Sequence, residues 1–205
     1  MTGVRHRAAT RRELLASGAV AGVAALTAPA VAAAASGGPS SPPPDDAALL
    51  TRVLSMAVLA AYVYQHVFAE GVLTGSERRA LDGFVDQERA HVVALRTAVR
   101  AAGGTLIGPP SSLDAANRDL AHRGIGGRLG QLQGADDALD LLVSVERSSI
   151  GSCYVALRGL TGSAAIVLVA QIMANAAQHE AVVTLVRPTL TLAEAAPFPL
   201  VSGSH

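Results

Sequence analysis

The chain has 205 residues with 16 basic and 16 acidic side chains, so its formal net charge is zero and nothing indicates a nucleic-acid partner. Aromatic residues make up only 3% of the chain and tryptophan is absent, which argues against stacking platforms for single-stranded nucleic acid or sugars. Cys153 is the single cysteine, so the fold must hold together without an internal disulfide.

The N-terminal segment has the layout of an export signal. Residues 1–13 are basic, residues 14–35 are apolar, and the apolar run ends in small-x-small sites such as Ala30-Val31-Ala32. The pair Arg11-Arg12, just ahead of an Ala/Gly-rich stretch, resembles a twin-arginine signal. That resemblance implies export by the twin-arginine translocase to the periplasm, the cell envelope or the medium. A membrane anchor is the alternative, although Pro29 and several glycines make a poor spanning helix.

A tether follows the signal. Residues 36–44, SGGPSSPPP, have the composition of a flexible linker, so we expect one folded domain over residues 45–187. Without residues 1–35 the chain keeps 12 basic and 15 acidic side chains, a net charge near −3. Residues 188–205 contain three prolines and are predicted to form an irregular tail.

Four amphipathic helices account for the hydrophobic periodicity, and no strand-like alternation occurs. The predicted helices are residues 46–70, 76–102, 135–160 and 163–187. About 32 residues rich in glycine and proline separate the second helix from the third, whereas the other two connections are short. The sequence therefore predicts an all-α bundle of two antiparallel hairpins joined by a long crossover.

Polar residues interrupt three of the four apolar stripes. Glu88 and His91 lie in the second helix, Glu146 in the third and His179 in the fourth. Glu88 and His91 are separated by 60° and one helical turn, so both can point at one place. A solvated i, i+3 pair would explain Glu-x-x-His alone, but carboxylates at mid-stripe need cations or donors as partners. A metal site inside the bundle satisfies that need.

These residues resemble the ferritin-like family of four-helix bundles, which hold two iron or manganese ions. In that family, helices 1 and 3 each supply one Glu ligand, and helices 2 and 4 each supply a Glu-x-x-His pair. Glu88 and His91 match the helix 2 pair, Glu146 matches the helix 3 ligand, and His179 matches the helix 4 histidine. The segment DGFVDQERAHVVALRTAVRAAGG is similar to the exported bacterial branch related to desiccation-associated proteins.

The resemblance also suggests supporting residues. Tyr64 and Tyr154 follow the ligand positions of helices 1 and 3 at similar spacing, and resemble the tyrosines that contact the ligands or fill the core of such bundles. Plain packing is the alternative for both.

Two expected ligands are missing. Ala57 occupies the helix 1 position and Ala176 the helix 4 glutamate position. Glu180, one turn beyond Ala176 on the same face, could partly substitute for the helix 4 glutamate. With the family's roles carried over, one subsite keeps Glu88, Glu146 and His179, whereas the other keeps only Glu88 and His91. Two carboxylates neutralise one divalent cation, so the predicted stoichiometry is one ion of Fe, Mn or Zn. The two alanines leave room for water or a small exogenous ligand.

Three functions remain open. The favoured one is an exported protein that binds at most one metal ion per chain. A non-catalytic structural or stress-protective envelope protein, in which the same side chains form a buried polar network without metal, is the main alternative. A ferroxidase, oxidase or catalase-like enzyme is less favoured, because such two-electron chemistry needs both subsites. A homodimer through an apolar helix face stays open.

Overall fold

The computed structural model describes residues 44–187, and within this range it contains helices and no strands, which confirms the all-α prediction. The predicted signal, nearly all of the tether and the tail lie outside the described residues. The helices in chain order are α1 (Pro44–Glu70), α2 (Gly75–Leu81), α3 (Phe84–Ala101), α4 (Leu113–His122), α5 (Ala135–Leu157) and α6 (Ser163–Leu185).

The four long helices, α1, α3, α5 and α6, form the bundle. Helix α1 packs against α3 and α5, and α5 packs closely against α6, whereas α3 and α6 approach each other over a shorter contact. The apolar side chains form two core clusters, one around Tyr64, Leu81 and Leu142 and the other around Leu54, Leu95 and Val169. The mid-stripe polar residues lie between these clusters along their helices.

The second predicted helix is interrupted, which corrects the expectation of one continuous helix from Ser76. Helix α2 ends at Leu81 and α3 begins at Phe84, with Asp82 and Gly83 in a turn between them. Both turn residues are exposed and have low helix propensity, so little opposes a break there. Helix α2 begins at Gly75, one residue before the predicted start, and its N-cap is Thr74.

The crossover carries a helix, α4, that the hydrophobic periodicity did not predict. Ser112 caps α4, since its hydroxyl accepts a hydrogen bond from the Ala115 amide at 3.1 Å. Ala116 and Leu120 are buried and attach α4 to the core. Arg123 donates to the Ser55 hydroxyl at 2.8 Å, which fixes the end of α4 against α1. The crossover is therefore a packed part of the domain.

Asp46 connects the start of α1 with the start of α6. Its buried carboxylate accepts hydrogen bonds from the backbone amides of Thr161 at 2.9 Å and Gly162 at 2.8 Å. These bonds, chiefly the one from Thr161, hold the pKa of Asp46 below its ordinary value despite burial. A carboxylate from one helix thus satisfies amide donors at the N-terminus of another.

Two helices, Asp46–Glu70 and Ser163–Leu185, are long and apolar enough to cross a membrane by length and composition alone, with mean hydropathies of 1.7 and 1.3. A core helix of a bundle meets the same criteria, and 56% of the apolar window in the first helix is buried by the rest of the domain. This finding is weak evidence for a membrane span.

Candidate metal site

Three of the predicted ligands meet at the centre of the bundle. Glu88 of α3, Glu146 of α5 and His179 of α6 are 4%, 0% and 2% exposed, and each offers a ligand atom within 4.8 Å of the other two. The His179 Nδ1 atom lies 3.2 Å from Oε1 of Glu88 and 3.2 Å from Oε1 of Glu146. The bundle therefore places one imidazole nitrogen between two carboxylates.

The charges of this cluster depend on one another. Burial by itself would lower the pKa of His179, but hydrogen bonds to Glu146 and Glu88 raise it to about 9. Burial by itself would raise the pKa of Glu88, and the hydrogen bonds from His179 and His91 bring it below the ordinary value. Burial and the neighbouring Glu88 charge raise the pKa of Glu146 despite its bond to His179. Without metal, a histidinium holds the carboxylates together at neutral pH.

Tyr64 supports the cluster from α1. The Tyr64 side chain is fully buried, and its hydroxyl donates to Glu146 Oε1 at 2.6 Å. Burial and the Glu146 charge raise the Tyr64 pKa well above its ordinary value, so the phenol stays protonated and remains a donor. The other Glu146 oxygen, Oε2, is buried without a hydrogen-bond partner among the described residues. That oxygen is available to a cation.

His91 lies at the edge of the cluster. Its Nδ1 atom is 3.4 Å from Glu88 Oε1, and its Nε2 atom is 3.4 Å from the Asn175 side-chain nitrogen on α6. The Glu88, Glu146 and His179 group within 4.8 Å does not include His91. The structure thus brings His91 to Glu88 but leaves it outside the tight group.

Two residues around His179 were not predicted. Gln87 Oε1 lies 2.7 Å from His179 Nε2, and the Phe84 ring stacks on the imidazole with centroids 3.9 Å apart. Gln87 precedes the predicted ligand Glu88, so helical geometry turns it about 100° away from the stripe, towards α6. The contact between Gln87 and His179 of α6 could not be predicted from the periodicity of α3 alone.

Ala57 and Ala176 line a small cavity beside the cluster. Glu88 and His91 form its polar wall together with Ser149, and the cavity volume is about 10 Å³. This space is close to the minimum for a single water. The two alanines therefore leave room beside Glu88 for about one water molecule.

A family model described as "Ferritin-like domain" matches residues 45–188. The chain belongs to the ferritin-like domain family. No curated protein and no solved structure matches it significantly. The family model covers the whole bundle, and thus all three residues of the buried group.

Two other predicted residues of this ferritin-like domain lie apart from the cluster. Tyr154 is 57% exposed, which corrects the expectation that it contacts a ligand or fills the core. Eight residues after Glu146, it is rotated 80° from the stripe, whereas Cys153 lies close to it. Glu180 of α6 forms an ion pair with Arg147 of α5, with 2.7 Å between Oε1 and Nε. It is not part of the Glu88, Glu146 and His179 group.

The ferritin-like cluster fits a small divalent cation by its chemistry. Two carboxylates and one imidazole form a nitrogen and oxygen donor set suited to iron, manganese or zinc. Ligand atoms about 2.1 Å from one ion lie roughly 3.0 to 3.4 Å apart at tetrahedral or octahedral angles. The 3.2 Å separations between Nδ1 and the carboxylate oxygens fall in this interval.

Proposed function

We propose that this ferritin-like domain binds a single divalent metal ion, iron, manganese or zinc, through Glu88, Glu146 and His179. The observation that carries the proposal is the buried group of three ligand atoms within 4.8 Å of one another. The buried Oε2 of Glu146, which lacks a hydrogen-bond partner among the described residues, supports it further. Burying two carboxylates side by side costs several kcal/mol unless a cation compensates them.

One ion, and not two, is the stoichiometry that the donor set favours. Ala57 and Ala176 offer no ligand atoms, and Glu180 is engaged by Arg147. The two carboxylates of Glu88 and Glu146 together balance the charge of one divalent ion. A bound ion would supply Lewis acidity, or one-electron chemistry in the case of iron or manganese. We therefore propose a binding protein rather than a two-metal oxidase, ferroxidase or catalase.

The experiment is metal analysis by plasma mass spectrometry of the full chain, purified without chelator and reconstituted with Fe(II), Mn(II) or Zn(II). We expect about one ion per chain, lost in Glu88→Gln and His179→Asn. Glu180→Gln is the matched control, because it removes a carboxylate next to His179 but outside the cluster. Two ions per chain would overturn the one-ion proposal and revive the oxidase. Loss of the ion in Glu180→Gln would show that Glu180 is a ligand and would overturn the three-residue donor set.

A structural role without metal is the second candidate, and the His179 geometry favours it specifically. A histidinium between two carboxylates already supplies a positive charge and hydrogen bonds to both. Such a network can stabilise a bundle by itself. If the folded protein binds none of the three metals, a structural or stress-protective role in the cell envelope becomes the better conclusion.

Export by the twin-arginine translocase belongs to the same proposal, as does a relation to desiccation-associated ferritin-like proteins. The support is the Arg11-Arg12 pair ahead of the apolar run at residues 14–35. Fractionation of cells that produce the full chain tests it. We expect the protein outside the cytoplasm, and we expect Arg11→Lys combined with Arg12→Lys to retain it inside. Export that persists in the double variant would contradict this route.

A further inference from the structure

We infer that the side-chain amides of Gln87 and Asn175 give the two buried histidines different roles: His179 is a metal ligand through Nδ1, whereas His91 is a hydrogen-bond donor to Glu88 and not a ligand. The inference rests on the proposed metal site and refines it. It departs from the expectation, drawn from the family resemblance, that the histidine of Glu-x-x-His binds metal.

The orientation of His179 follows from its amide partner. The atom of Gln87 that faces His179 Nε2 at 2.7 Å is the carbonyl oxygen, which can only accept a hydrogen bond. Nε2 must therefore carry a proton. The remaining nitrogen, Nδ1, lies between the two carboxylates, and in the neutral ring its lone pair points at them. This arrangement, a ligand nitrogen facing the site with the other nitrogen donating outwards, is typical of metal-binding histidines.

The orientation of His91 is the opposite. The atom of Asn175 that faces His91 Nε2 at 3.4 Å is the amide nitrogen, which can only donate. Nε2 must therefore accept, so the proton sits on Nδ1. Nδ1 is the nitrogen that faces Glu88 Oε1 at 3.4 Å, and it donates to that oxygen. The lone pair of His91 thus points away from the carboxylates and towards Asn175.

The two amides leave the domain with three ligand atoms rather than four. Glu88 receives a hydrogen bond from His91 and keeps its orientation, while His179 supplies the nitrogen ligand. His91 is then a positioning residue for Glu88, and Gln87 is a positioning residue for His179. The contacts Gln87–His179 and His91–Asn175 both join α3 to α6.

Nitrogen-15 NMR of the histidine rings tests the proton positions directly, in the metal-free full chain and after addition of Zn(II) or ¹¹³Cd(II). We expect His91 to carry its proton on Nδ1 in both states. We expect the Nδ1 resonance of His179 to move on metal addition and to show coupling to cadmium. Cadmium coupling to either nitrogen of His91, or a His91 ring with its proton on Nε2, would overturn the inference.

Substitutions test the role of the amides. Gln87→Leu is expected to lower Zn(II) affinity by about 10- to 100-fold, and Gln87→Glu, which keeps an acceptor, to retain most of it. Asn175→Asp replaces the donor with an acceptor and places a carboxylate on each side of the His91 ring, so Nε2 should gain a proton while Nδ1 keeps its hydrogen bond to Glu88. Gln178→Glu is the matched control, since it changes an exposed amide on the same helix. A His91 ring whose Nε2 stays unprotonated in Asn175→Asp would show that the side chain at position 175 does not set the proton on that nitrogen.

The affinity of His91→Asn separates the two roles. His91→Asn should lower the Zn(II) affinity by about 10- to 100-fold, as expected for loss of a residue that orients a ligand, whereas His179→Asn, which removes a ligand, should lower it further. Equal losses for the two histidines would refute their assignment. If the wild type binds no metal, the proposed function fails, while the ring tautomers of the metal-free protein still decide whether the amides sort the histidines.

Discussion

The proton on His179 makes the stability of the metal-free domain depend on pH. The pKa of His179 is about 9 in the folded protein against an ordinary value of 6.5, because Glu146 and Glu88 accept its hydrogen bonds. The folded chain therefore binds this proton more tightly than the unfolded chain does. The stabilisation is fully present below pH 6.5 and is lost as the pH rises towards 9. A difference of this size corresponds to about 3 kcal/mol at 1.36 kcal/mol per pH unit.

Urea unfolding of the metal-free protein between pH 6 and pH 9.5 measures this loss. For a domain of this length, about 3 kcal/mol corresponds to a decrease of roughly 6 to 12 °C in Tm, which calorimetry can check independently. His179→Asn should remove most of the decrease over this range. His122→Gln, which changes an exposed histidine of the crossover, should leave it in place. A wild-type protein equally stable at pH 6.5 and pH 9 would refute the assignment of a histidinium between the carboxylates.

Three further predictions concern groups around or beside the cluster. Tyr64→Phe removes the hydrogen-bond donor to Glu146 and should lower the free energy of unfolding in urea by about 2 kcal/mol, the value typical of a hydrogen bond to a charged group. A change below about 0.5 kcal/mol would mean that Glu146 does not need the phenol. Asp46→Ala should destabilise the domain by a similar amount at pH 7, about 2 kcal/mol. The difference should shrink as the pH falls below 4, because the pKa of Asp46 is lowered in the folded protein and protonation of the carboxylate removes the stability it contributes. Asp86→Ala, at an exposed site, is the control. The Cys153 thiol, buried and with a pKa raised to about 12, should resist a disulfide reagent at pH 8 until the protein is unfolded, and rapid labelling of the native protein would contradict its burial.

The helices and three members of the cluster could be predicted from the sequence because helical periodicity is a local property. Glu88, Glu146 and His179 each stand in the apolar stripe of a long helix, and the structure buries all three. The same reasoning failed for Tyr154, since proximity to the cluster along the chain says little once the residue is rotated 80° from the stripe. It also missed the crossover helix α4, which is only ten residues long and has a short apolar stripe.

The sequence by itself determined the all-α class, the faces that are buried, and the absence of ligand atoms at Ala57 and Ala176. Only the tertiary structure decided which atoms meet across helices. It placed the oxygen of Gln87 against His179 and the nitrogen of Asn175 against His91, and these two contacts give chemically identical rings opposite orientations. The physical reason is that a stripe fixes the direction of a side chain about its own helix axis, whereas the partner of each polar atom depends on how neighbouring helices are rotated and shifted when they pack.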